Sequence, residues 1–309
     1  LLLPALVCGL AGTFSPAALM AAESPVELAN PMVGTAALDQ PEFIGNAPPP
    51  GEEIYTGFVW PGPALPHGDF HLNPINKDLE GAADNHGIIF PYLWQRPTMV
   101  GFSSRVPDLT IMPLVGDWTT PPDRSYAPAY AKDSEKASPG YYSVFFPDHQ
   151  VRAELTTSKE IDYYRFTFPE TERATVLLDL GPRHADLQIV SDRTLTGLSQ
   201  GRHFVAEFSK PFKAFGTFHQ GQPQVDGNRV RRYDTVNPGA RSESDSYAGC
   251  YLNFNTHAGE QVIVRIATGR DEKSAQQRLD MANPALGFDG VKQQTEEIWS
   301  HKLDLIEVE

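Results

Sequence analysis

The chain has 309 residues, 40% of them hydrophobic and 21% charged, which is ordinary for a globular protein with one large core or two modest ones. Twenty-five basic residues against 39 acidic ones give a formal net charge of −14, a field that repels polyanions and argues against a nucleic-acid partner. The two cysteines, Cys8 and Cys250, are too few for a disulfide framework or a cysteine zinc site.

The first 22 residues differ from all that follows. Leu1 to Met20 carry no charge, Leu1, Leu2, Leu3, Leu6, Val7 and Leu10 form an apolar block, and Ala17, Ala18, Ala21 and Ala22 precede polar Glu23 and Ser24. This is the pattern of a secretory signal peptide whose start is clipped, with cleavage after Ala22. Pro4, Gly9, Gly12 and Pro16 interrupt the run that a membrane anchor needs. The expectation is a secreted or periplasmic protein with no stable membrane anchor; removal of Cys8 with the signal leaves Cys250 unpaired. Pro41 to Gly51, with Pro48-Pro49-Pro50, reads as loop. His67, Asp69 and His71 alternate, so on a strand they would share one side, as a metal site requires; solvated or hydrogen-bonded side chains are the plainer reading, and no metal ligand is assigned.

From about residue 54 to 268 the pattern is strand after strand. Tyr141 to Phe146, Gln150 to Thr157, Ile161 to Phe168 and Ala174 to Leu180 read as strands with turns at Pro147-Asp148-His149 and Pro169-Glu170. Val151, Ala153 and Leu155 share one face and Arg152, Glu154 and Thr156 the other, which predicts one wet side. Further strands are read at Thr194–Leu198, His203–Phe208, Lys213–Phe218, Gly249–Phe254 and Gln261–Thr268, with a polar loop over Gly221–Tyr247 in which Arg229 to Arg232 is a solvated turn. No helical stretch separates the strands, so the fold class is mainly β, a large antiparallel sandwich rather than βαβ units. After Gly269 the period becomes helical. Asp271 to Asn283 aligns Ala275, Leu279 and Ala282. A second helix opens at Gly287-Phe288-Asp289, with Asp289 as N-cap and a stripe of Val291, Ile298 and Leu305 joined by Trp299, Leu303 and Ile306.

Several blocks in one order resemble family 92 of the glycoside hydrolases. Ala29-Asn30-Pro31-Met32-Val33-Gly34-Thr35 is similar to that family's opening "NPFIGT". Gly57 to Gly68 is similar to "GNTFPGAxxPFG", and Gly101-Phe102-Ser103 to the start of "GFSHTHLSG", with Asp108 to Pro113 after it. Ser134 to Val144, Ala153 to Thr157, Tyr164 to Pro169, Glu207 to Phe212, and Phe288-Asp289 through Trp299 to Val308 continue the match. The resemblance implies a supersandwich of the galactose-mutarotase kind over residues 23–270. It also implies a helical linker over 271–309, leading to an (α/α)₆ catalytic domain absent from this sequence. The activity implied is that of a calcium-dependent inverting exo-α-mannosidase, of α-1,2 type, acting on mannose-containing glycans. Its acid and base stand roughly 6.5–9.5 Å apart across the sugar. In this family both carboxylates and most calcium ligands belong to the helical domain, so no catalytic residue is assigned here and this chain alone is expected to be inactive.

The family's amino-terminal domain lends contacts to the sugar pocket. The substrate-binding candidates implied are Phe58, Trp60, Pro61, Gly62, His67, Gly68, Ser103 and Ser104, with Phe58 and Trp60 stacking on a sugar face or else filling core. The family histidines of "GFSHTHLSG" are replaced by Ser104-Arg105-Val106, and the preceding Gly-Tyr-x-Tyr by Phe90 to Trp94, departures that bear on specificity. Glu52-Glu53 and Glu296-Glu297 are neighbours that point apart and do not form a catalytic pair. Two other readings remain: a carbohydrate-binding sandwich without hydrolytic activity, and a scaffold whose terminal helix buries its apolar face on the sandwich.

Overall fold

A computed structural model describes residues 24–35, 60–67, 72–77, 97–106, 109–117, 126–180, 185–219, 222–232, 248–283 and 285–305. The expected signal peptide, the Pro41–Gly51 loop, and the positions of Phe58, Gly68, Asp69, His71 and Phe90–Trp94 lie outside these residues. A short helix α1 (Pro25–Leu28) is followed by strands β1 (Pro74–Asn76), β2 (Met99–Ser103), β3 (Thr110–Val115), β4 (Ala131–Ser138), β5 (Tyr141–Phe146), β6 (Val151–Thr157), β7 (Ile161–Phe168) and β8 (Thr171–Asp179). The chain continues through β9 (Ala185–Ile189), β10 (Thr194–Ser199), β11 (Arg202–Phe208), β12 (Ala214–His219), β13 (Gln222–Val225), β14 (Arg229–Arg232), β15 (Ala248–Thr256) and β16 (Glu260–Gly269). It closes with helices α2 (Glu272–Met281) and α3 (Gly287–Leu303).

The strands form two antiparallel sheets. One has the order β1-β2-β3-β8-β15-β12-β13, the other β14-β9-β10-β11-β16-β7-β6-β5-β4. Both contribute to a single apolar core, because period-two strands put every second side chain inward. Phe102 of one sheet meets Tyr142 and Phe146 of the other edge to face, with ring centroids 6.3 and 6.2 Å away, and Phe254 stacks at 6.1 Å on Phe208. Each fully buried Phe contributes on the order of 1.5–3 kcal/mol of transfer free energy. The edge strand β4 carries Lys132, Asp133, Glu135 and Lys136, charges that discourage pairing with another chain.

The second face of β6 is wet only at Arg152. Thr156 is fully buried and Glu154 nearly so, because α3 lies across β6 and β7 while α2 lies on β16 and β11. Ile161, Tyr163, Val205 and Ala267 from the outer sheet face join Ala275, Leu279, Phe288 and Val291 in a second apolar cluster. Two helix expectations are corrected. Asp271 caps α2, accepting the Ser274 N–H at 2.7 Å. In contrast, Asp289 is no N-cap: α3 begins two residues earlier after Leu286, without a side-chain cap, and Asp289 pairs with Arg165 at 2.7 Å. The stripe on α3 also differs. Phe288, Val291 and Thr295 are buried, while Ile298 is 45% and Leu305 67% exposed.

Part of the expected Gly221–Tyr247 loop is strand. Gln222–Val225 extends the smaller sheet and Arg229–Arg232 pairs with β9. Arg229 and Arg231 both reach Asp186, at 2.7 and 2.9 Å, so this segment is a paired edge rather than a solvated turn.

Candidate functional site

The segment 60–67 is an irregular loop with a buried middle and exposed ends. Pro61, Gly62, Pro63 and Ala64 are buried, whereas Trp60 is 41% exposed and His67 is exposed in a turn at φ 58°. His67 is therefore not on an extended strand, and the alternation argument for a His67-Asp69-His71 site fails at its first member. Gly62 is required by close approach: a Cβ there would stand 1.5 Å from the Leu72 carbonyl oxygen.

Hydrogen bonds hold this loop to its neighbours. The Gly62 N–H donates to Asn73 Oδ1 at 3.1 Å, and the Leu72 N–H to the Pro63 carbonyl at 3.1 Å. Asn73 in turn donates its N–H to Ser103 Oγ at 2.9 Å and accepts the Ser103 N–H at 2.8 Å. Asn73 thus joins the Trp60 loop to the Ser103-Ser104 segment, two candidates far apart in sequence. The Ser103 hydroxyl is occupied in this joint, and Ser104 Oγ accepts the Val106 N–H at 2.9 Å, so both serines shape backbone here.

Arg105 anchors the same segment. Its N–H and Nε donate to the two oxygens of Asp162 at 2.9 and 2.6 Å. Its remaining donors reach Lys159 O at 3.0 Å, Thr157 Oγ1 at 2.8 Å and Ser158 O at 3.1 Å. Asp162 is fully buried; burial pushes its carboxyl up and the Arg105 guanidinium pulls it back. The Tyr164 hydroxyl, driven well above its ordinary value by burial, donates to Ser103 O at 2.7 Å.

Beside the loop, a groove of about 390 Å³ opens between the β6–β7 turn and helices α2 and α3. Leu65, Ile161, Met281, Leu286, Val291 and Ile298 give it apolar walls. Glu160 is its one lining carboxylate and pairs with Arg278 at 2.8 Å, so the groove supplies no separated acid and base. Among the described residues no three His, Cys, Asp or Glu side chains gather where they could hold a metal ion, and no calcium ligand is assigned to them. Among those residues, too, no helix is long and apolar enough to cross a membrane.

Asn73, Arg105, Asp162 and Trp299 were missed by sequence reasoning. One signal was available: Asp162 shares the inward register of Tyr164, Phe166 and Phe168, and a carboxylate in that register calls for a buried cation.

Comparison with curated proteins gives no match. Solved structures do match. A family 92 α-mannosidase from Bacteroides thetaiotaomicron is 24% identical with a TM-score of 0.66, over 91% of this chain and 38% of its own. A family 92 inverting mannosidase from the same organism is 22% identical with a TM-score of 0.70, over 93% of this chain and 37% of its own. The first was also solved with mannoimidazole. The chain spans less than two fifths of these proteins' length. Residues 28–268 match the profile of the Glycosyl hydrolase family 92 N-terminal domain, and with a sandwich over that range the chain belongs to glycoside hydrolase family 92, as its N-terminal domain.

Proposed function

We propose that this domain forms one wall of the sugar pocket of an inverting exo-α-mannosidase, of α-1,2 type, acting on mannose-containing glycans. The observation that carries the reading is Trp60: a partly exposed indole at the edge of a loop whose next four residues are buried and hydrogen-bonded, in a chain of this family. An aromatic face held this way stacks on the C–H face of a sugar while the loop keeps the ring from collapsing inward. Inversion requires a carboxylic acid for the leaving oxygen and a carboxylate to activate water. In this reading both groups, and the residues that hold calcium, belong to polypeptide other than the residues described here. Calcium, when bound, would supply a fixed positive charge to the pocket. This chain's own part is to bind and orient through the Trp60 loop, with Ser103 to Arg105 as its footing. The mannosidases it resembles support the substrate class. Residues 1–22 are read as a signal for export.

The test is hydrolysis of an aryl α-mannoside by the full-length natural protein, with and without chelator, beside the same assay on the 309-residue chain. Activity of the full-length protein alone, lost on chelation, fits the proposal. Trp60→Ala should weaken mannoside binding by about 1–3 kcal/mol, the scale of a lost aromatic stacking contact. Hydrolysis by the 309-residue chain alone would overturn the proposal, and glycan binding without hydrolysis by the full-length protein would assign it to a binding module.

A further inference from the structure

We infer that Trp299 is a positioning residue for the Trp60 loop, acting through one hydrogen bond from its indole N–H; this deepens the reading of that loop as pocket wall and rests on it. Trp299 Nε1 donates to the Ala64 carbonyl at 2.6 Å, across 235 residues of chain. Two other ties of the loop, Gly62 to Asn73 and Leu72 to Pro63, run to the segment before β1 and not to α3. The Ala64 carbonyl attaches the loop to the helical layer.

That attachment is worth having only if α3 is itself fixed, and it is. Near its start, Arg165 bonds Asp289 at 2.7 Å and lies 4.3 Å over the Phe288 ring. One turn on, Lys292 sits 4.0 Å over the Tyr141 ring. Further along, the buried Thr295 hydroxyl donates to Thr157 O at 2.7 Å. Gly140, at φ 88°, clears the space beneath: a Cβ there would lie 2.4 Å from Thr295 Cγ2 and 3.5 Å from Trp299 Cδ1. A helix held at its start and middle carries Trp299 as a rigid arm, and the arm ends on the loop that presents Trp60. An indole N–H taken from water needs an acceptor, and this one takes a backbone oxygen of the loop.

The experiment uses the full-length natural protein. In Trp299→Phe, hydrogen exchange at the amides of Gly62 and Leu72, whose bonds tie the loop, should accelerate about fivefold or more, on the scale of one lost hydrogen bond, with exchange in β6 and β7 unchanged. KM for an aryl α-mannoside should rise about fivefold while kcat stays within about twofold. In a Trp60→Ala background the same change should alter KM by less than about twofold, because the residue it positions is gone. Benzothienylalanine at 299, which keeps the ring volume and removes only the N–H, should reproduce the exchange change, and it stands in should Trp299→Phe fail to fold. Unchanged exchange in the loop overturns the inference, as does a KM effect that is fully additive with Trp60→Ala. A wild-type protein without mannosidase activity would instead sink the functional reading, and loop exchange would still decide the role of Trp299.

Discussion

Replacing Arg105 by Met isolates the joint that supports the candidate site. The guanidinium and N–H of Arg105 make five hydrogen bonds, two of them to a carboxylate with no exposure. Methionine keeps the chain length and the backbone N–H but strands the Asp162 charge and the carbonyls of Ser158 and Lys159. Removing one partner of a buried pair costs about 3–5 kcal/mol, mostly the penalty of the charge left behind. At a urea slope of about 3 kcal/mol/M, the unfolding midpoint should fall by more than about 1 M. The sign with pH is also fixed. Burial already raises the Asp162 carboxyl, and losing Arg105 raises it further. A group whose folded value lies above its unfolded one stabilises the fold below the unfolded value and loses that contribution as pH rises. The penalty of Arg105→Met relative to wild type should therefore shrink from pH 7 toward pH 4. Adding Asp162→Asn should recover part of it at pH 7. Urea titrations of these three proteins at both pH values make the test. A midpoint change under about 0.3 M, or a penalty that grows in acid, would refute the assignment of Arg105–Asp162 as the pair that carries this joint.

Two other outcomes follow from the α3 contacts. Gly140→Ala should destabilise by about 2–4 kcal/mol in thermal or urea unfolding, from left-handed backbone at φ 88° and a methyl forced 2.4 Å from Thr295 Cγ2. Glu154 is pushed up by burial but held lower overall by Arg165, at 2.7 Å, and by the Tyr141 hydroxyl, at 2.8 Å. A depressed carboxylate contributes stability above its unfolded value and loses it as pH falls through the folded one. Glu154→Gln should accordingly cost about 1.5–3 kcal/mol at pH 7, with the difference from wild type fading below pH 4.5 in urea midpoints.

The strands were legible wherever apolar residues alternated: Val151, Ala153 and Leu155 turn inward as their spacing requires. On the opposite face Arg152 is exposed as its type suggests, but Glu154 and Thr156 misled, because they look like solvent contacts until the helix that covers them is known, and nothing local to β6 announces α3. Gln222–Val225 and Arg229–Arg232 were read as loop since Pro223, Asp226, two glutamines and three arginines obscure any alternation; their pairing comes from partners elsewhere in the chain. The same holds for the site. Trp60 and Gly62 could be picked out by type, but Asn73, Arg105 and Trp299 act through backbone atoms and partners 11, 57 and 235 residues away. Side-chain type carries no trace of such distant contacts.

The helical layer bears on where this protein can be divided. A sequence reader would cut after Gly269, where strand gives way to helix. That cut would strip the cover from Ile161, Tyr163, Val205 and Ala267 and leave a greasy stripe across the back of the larger sheet. A division that keeps those four residues covered runs on through α3, so the sandwich and its two-helix coat belong on the same side of any cut.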